Sequence, residues 1–126
     1  MTQEDKELLF KDLCARLPYG VKVKTNNINI LKLGSHTRVG EYVTDVIEPC
    51  KPYLFPLSSM TEELYNEFFS YYHNIEMDAV KASGDYLKAA YIGDDAKYSW
   101  LNKNHFDYRG LIEMGMAIDA TGLNIY

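Results

Sequence analysis

The densest run of chemistry-bearing side chains is Asn102-Lys103-Asn104-His105-Phe106-Asp107-Tyr108-Arg109. A turn there would bring His105, Asp107 and Arg109 together, the base, carboxylate and fixed cation that an acid–base or anion-binding group needs. The structural reading of the run is stronger. A single His offers no nucleophile and no second base. Asp107 can cap the following turn, Arg109 can pair with Asp107 or other acids, and Phe106 and Tyr108 can pack as anchors. The remaining candidates are thinner. His36, His73 and His105 show no i, i+4 spacing, and neither Cys14 nor Cys50 lies within four residues of a His, so no zinc-type pattern is present. No glycine-rich phosphate loop and no nucleophile-elbow motif occurs. Glu62/Glu63 and Asp94/Asp95 are adjacent acids, which do not converge on one point of a helix; they read as helix starts. The expectation is a non-enzymatic protein with no catalytic residues, no metal and no cofactor.

The elements that would position these residues are legible in the periodicity. Leu9, Leu13 and Leu17, with Phe10 and Cys14 beside them, form an apolar stripe over a helix from about Gln3 to Leu17, ended by Pro18. Cys14 is expected buried and reduced on that stripe, and Cys50 unpaired. Between Gly20 and Leu57 the period becomes two. Short strands are expected at Val21–Lys24, Ile28–Leu33, Val39–Val43, Val46–Ile47 and Lys51–Phe55, the last confined to a sheet edge by Pro49 and Pro52. That pattern suggests a small, curved antiparallel sheet or SH3-like barrel covered by the first helix. A second helix is expected over Ser58–Asn74, with Ser59 and Glu62 as its capping box. A break is read at Ser83-Gly84-Asp85, a strand or second short helix over Tyr86–Ile92, a turn and helix start at Gly93-Asp94-Asp95, a short helix over Ala96–Asn104, and one more helical turn at Leu111–Met114. The fold class is therefore α+β in a single domain, residues 1–126. Residues 1–57 form the helix and sheet, and residues 58–126 an acidic, aromatic-rich, mainly helical part of short helices.

Charge is uneven. Residues 1–57 hold eight Lys/Arg against seven Asp/Glu, whereas residues 58–126 hold five against eleven, within a formal net charge of −5. Net acidity argues against a general nucleic-acid binder, whose affinity rests on phosphate contacts. Acids interleaved with Tyr and Phe suit a protein partner with a basic face, or self-association through the edge strand. Tyr53 and Phe55 on that strand, and His105, Asp107, Tyr108 and Arg109 on the later turn, are the candidate binding residues. The alternatives are an SH3-like or Sm-like nucleic-acid module using Lys22, Lys24, Lys32 and Arg38, or an acidic mimic of nucleic acid. The first residues are acidic and their apolar positions are interrupted, unlike a signal peptide. No window approaches the roughly 20 apolar residues of a membrane span, so a cytoplasmic protein without membrane contact is expected.

The strings LCARLPYGVKVK, KPYLFPLSSMTEE and WLNKNHFDYRGLIEMGMAIDATGLNIY resemble a group of small uncharacterised proteins from gut Bacteroidetes and their prophages. The similarity covers residues 7–25, 51–63 and 100–126, and the long last string is its most specific part. It implies a bacterial cytoplasmic or phage setting. It carries over no activity and no catalytic residues.

Overall fold

A computed structural model of the chain describes residues 2–43 and 50–126. They form two compact units, residues up to Leu57 with His105–Tyr126, and Ser58–Asn104. The mixed α+β class is as expected.

The first unit opens with helix α1, Gln3–Arg16. Thr2 caps it: its hydroxyl accepts from the Asp5 backbone N–H at 3.1 Å, and the Asp5 carboxylate accepts from the Thr2 N–H at 3.2 Å. Both bonds satisfy amides that the helix itself leaves orphaned. Pro18 falls in a short 3₁₀ turn, Leu17–Tyr19, and Gly20 at φ 66° leaves it in a left-handed conformation. The helix face differs from the apolar stripe. Leu9, Asp12, Leu13 and Arg16 are buried, while Phe10 is 44% exposed and Cys14 is exposed. The expectation of a buried Cys14 is thus corrected. The helix is turned so that an oppositely charged i, i+4 pair lies inside, which pushes Phe10 and Cys14 to the surface.

Strands β1 (Lys22–Lys24), β2 (Leu31–Lys32) and β3 (Lys51–Pro56) follow, β1 pairing antiparallel with both others. The expected strand at Val39–Val43 is instead a 3₁₀ turn over Val39–Tyr42, and Val46–Ile47 lies outside the described residues. Two short strands from the end of the chain, β4 (Phe106–Asp107) and β5 (Ile118–Asp119), both pair parallel with β3. The sheet is therefore mixed and open, with no barrel closure among the described residues. β3 lies inside it, paired with β1, β4 and β5, which overturns the edge-strand assignment. Pro52 is tolerated because its missing N–H costs a single ladder bond. The core beneath holds Leu9, Leu13, Val21, Val23, Leu54 and Leu111 among others. Leu111–Met114 is a turn rather than a helix.

The second unit is a helical hairpin of α2 (Glu62–Ser83) and α3 (Tyr86–Lys103); α2 starts later and runs past the expected end at Asn74, and α3 is a long helix where a short one over Ala96–Asn104 was expected. Thr61, not Ser59, caps α2, its hydroxyl accepting from Leu64 N–H at 3.2 Å. Ser59 ends a 3₁₀ turn instead. The expected break is present: Gly84 closes α2 at φ 66°, and Asp85 caps α3 through Lys88 N–H at 3.1 Å. Gly93-Asp94-Asp95 is no turn but the middle of α3. A Cβ at Gly93 would lie 2.8 Å from Glu76 Oε2 and 3.1 Å from Glu76 Cβ, so glycine there permits close approach of α2. Ala89, Gly93, Ala96 and Trp100 form the buried stripe of α3, and Trp100 packs on Phe68 with ring centroids 5.0 Å apart.

Candidate functional site

The expected turn is present in the first unit, but its side chains are directed to different tasks. Asp107, on β4, is buried, and its two carboxylate oxygens accept from the N–H groups of Leu111 at 3.0 Å and Ile112 at 2.9 Å. It caps the next turn, the structural role read from the sequence. Arg109 does not pair with Asp107. Its Nη1 donates to Asp12 Oδ1 on α1 at 2.8 Å and to the Tyr108 hydroxyl at 2.9 Å.

Asp12 is the hub of this cluster. It is fully buried, and its second oxygen accepts from Arg16 Nε at 2.9 Å. Arg16 is equally buried, and its Nη2 donates to the Phe106 carbonyl at 2.6 Å. The Tyr108 ring lies under both guanidinium groups, 5.4 Å from that of Arg16 and 4.7 Å from that of Arg109. One carboxylate, two guanidiniums and a ring thus pin α1 to the segment after β4. Sequence reasoning missed Asp12 and Arg16. Their signal was present as an acid four residues before a base, but such pairs usually lie on solvated faces.

His105 is 8% exposed and adopts φ 62°, a left-handed conformation uncommon outside glycine. Its carbonyl accepts from Phe55 N–H at 2.8 Å, and its ring stacks on Tyr126 with centroids 3.6 Å apart and planes 13° off parallel. Burial first, then the charges of Arg16 and Lys22, lower its pKa to about 4. The imidazole is therefore neutral near pH 7 and a weak base. His105, Asp107 and Arg109 do not converge on one point where a reacting atom would sit.

The other candidates are also drawn inward. Tyr53 is 7% exposed and donates its hydroxyl to the Asn29 carbonyl at 2.6 Å. Phe55 is half-buried between Phe106 and Tyr126, at 6.1 and 5.9 Å. Tyr53 is thus no exposed edge anchor, because β3 is an interior strand. Among the described residues no three His, Cys, Asp or Glu side chains are grouped to hold a metal ion, and no helix is long and apolar enough to cross a membrane.

The hairpin carries the largest exposed apolar side chains. On α3, Tyr86 is 77% exposed, Leu87 69% and Tyr91 67%. Leu87, Tyr91 and Tyr98 fall at i, i+4 and i+11, one helical stripe on the side opposite Ala89, Gly93 and Ala96. On α2, Tyr65, Phe69, Tyr71 and Met77 are exposed as well. Residues 58–104 hold eight Asp/Glu against four Lys, so these rings stand in a negative field. Compared with family models, curated proteins and solved structures, the chain matches none.

Proposed function

We propose that the protein is a non-enzymatic binding module that engages another protein through the exposed stripe of α3. The observation that carries this reading is the stripe Leu87, Tyr91 and Tyr98, left exposed on a helix whose opposite face is packed with small residues. Large exposed apolar clusters mark interaction surfaces, and tyrosine is prominent among interface hot spots. Asp85, Asp94 and Asp95 lie within the same stretch, so the partner is a protein with a basic face surrounding an apolar groove. The acid charge also disfavours a second copy of the hairpin as occupant, since like fields repel.

The test compares wild type with Leu87→Asp and Tyr91→Ala as immobilised baits against the proteome of the source cell. The reading expects a partner with a basic surface, retained at low salt and lost in both variants, whose circular dichroism stays that of wild type. Retention of every interactor by both variants would overturn it. So would a stable homodimer by light scattering that Leu87→Asp dissociates.

A further inference from the structure

The outward face of the sheet carries a line of cations. Lys22 and Lys24 stand two apart on β1 and share one face, while Val23 between them is buried. The antiparallel register sets Lys32 across from Lys22, and Lys51 across from Lys24. Residues opposed in this way project from the same face. The four lysines therefore run diagonally across β2, β1 and β3. With strands about 4.8 Å apart and about 6.7 Å between alternate residues, the line of Cα positions is about 12 Å long.

This arrangement opposes stability, because like charges directly across a ladder repel. Two such pairs abut here, and none of the four lysines has an ion-pair partner among the described residues. Local rules are broken most often where function requires it. Arg38, from the set expected to bind nucleic acid, is not on these strands and lies 3.8 Å from Glu41.

The same face continues into an aromatic patch. Tyr53 and Phe55 follow Lys51 along β3 at steps of two. Phe55 packs against Tyr126, which stacks on His105. The Tyr126 hydroxyl accepts from Lys22 N–H at 2.8 Å and donates to the Tyr53 carbonyl at 2.8 Å. The Lys22 ammonium donates to the Ile125 carbonyl and lies 5.6 Å from the Tyr126 ring centroid. Tyr126 is thus held rigidly beside the lysine line yet remains 40% exposed.

We propose that this face binds single-stranded nucleic acid, with the lysine line tracking successive phosphates and Tyr126 stacking on an unpaired base. A line of cations fits a linear polyanion. A fixed, half-exposed ring beside it fits a base, the combination that sequence-tolerant single-strand binders use. A duplex or a lipid surface offers no unstacked base to that ring. The net acidity of the chain does not remove the site, because residues 58–104 hold eight acids against four lysines and account for most of the excess. The inference is independent of the α3 stripe.

The experiment is fluorescence anisotropy of the full chain at low salt with labelled oligo-dT and oligo-U. A duplex of equal length and anionic vesicles serve as comparisons. Single strands should bind more tightly than duplex, with a log–log salt slope of about −2 to −3 for three to four phosphate contacts. Lys24→Gln with Lys51→Gln should cut affinity about tenfold and flatten the slope by about 1.4. The same variant should melt higher than wild type at low salt, which also shows that it folds. Tyr126→Leu should weaken binding about tenfold without changing the slope. Leu87→Asp should bind oligonucleotide as wild type does, separating this face from the α3 stripe. No binding to either single strand, equal or tighter binding to duplex or vesicles, or wild-type binding by the double lysine variant would overturn the proposal.

Discussion

Replacing Asp12 is the sharpest perturbation of the first unit. Asp12 is fully buried and accepts from Arg16 Nε at 2.9 Å and Arg109 Nη1 at 2.8 Å. The side chain of Arg109 is 16% exposed and can turn towards water. Arg16 is fully buried and cannot. Its remaining partners are the Phe106 carbonyl and the Tyr108 ring. Asp12→Ala therefore leaves an uncompensated buried guanidinium, a loss of about 3–5 kcal/mol. Against a total of about 5–15 kcal/mol for a typical domain, that brings the unit close to unfolding at room temperature. Asp12→Asn keeps the shape and one acceptor, so it should fall at the lower end of the range. The assay is urea denaturation followed by far-UV circular dichroism, with amide exchange at α1 and β4 to locate the loss. Trp100 fluorescence reports the hairpin and should respond less. Replacing the charges together, as Asp12→Leu with Arg16→Met and Arg109→Leu, should restore much of the stability, since apolar residues of similar volume substitute well for buried ion pairs. A loss below about 1 kcal/mol for Asp12→Ala would refute the buried-hub reasoning, because that is the scale of a solvated surface pair.

Three further outcomes follow from the packing. His105 is held neutral with its pKa near about 4, so the unfolded chain, with an ordinary histidine, binds the extra proton. Its contribution is fully present above about pH 6.5 and is lost as pH falls towards 4, worth about 3 kcal/mol across that window; urea midpoints against pH should show the slope, and His105→Asn, which tolerates the left-handed backbone, should flatten it. Cys14 is exposed and Cys50 buried with its pKa pushed up to about 12, so a disulfide reagent should label Cys14 quickly and Cys50 only on unfolding. Gly93→Leu should cost about 1–3 kcal/mol by overpacking against Glu76, measured by thermal melts of Trp100 fluorescence.

The period of α1 was legible in the sequence, but its orientation was not. Leu9 and Leu13 are buried as the stripe requires, yet a charged pair, Asp12 and Arg16, took the inner positions given to Phe10 and Cys14. Hydrophobic periodicity assigns charges outward by default, and only a distant partner such as Arg109 reverses that. The break at Gly84 was readable because glycine there adopts φ 66°. Gly93 was misread because a glycine needed for close packing has the same letter as one needed for a turn. β4 and β5 are two residues each and gain their meaning from pairing with β3, so no local pattern announced them. That hidden pairing also moved β3 from the edge to the interior and buried Tyr53. At the candidate turn, the capping role of Asp107 was local and was found. The role of Arg109 depends on a residue 97 positions away and was not.

Recognition of a protein partner is proposed to lie on the α3 stripe rather than at the His105 turn. Site-specific photo-cross-linking tests it most directly. A photoreactive residue placed at Leu87, with one at exposed Phe10 on α1 as comparison, is irradiated in the source cell. The account predicts one dominant adduct from position 87, a protein with a basic surface, lost when Tyr91→Ala is added. It predicts no such adduct from position 10. An equal yield of the same adduct from both positions, or none from position 87, would contradict it.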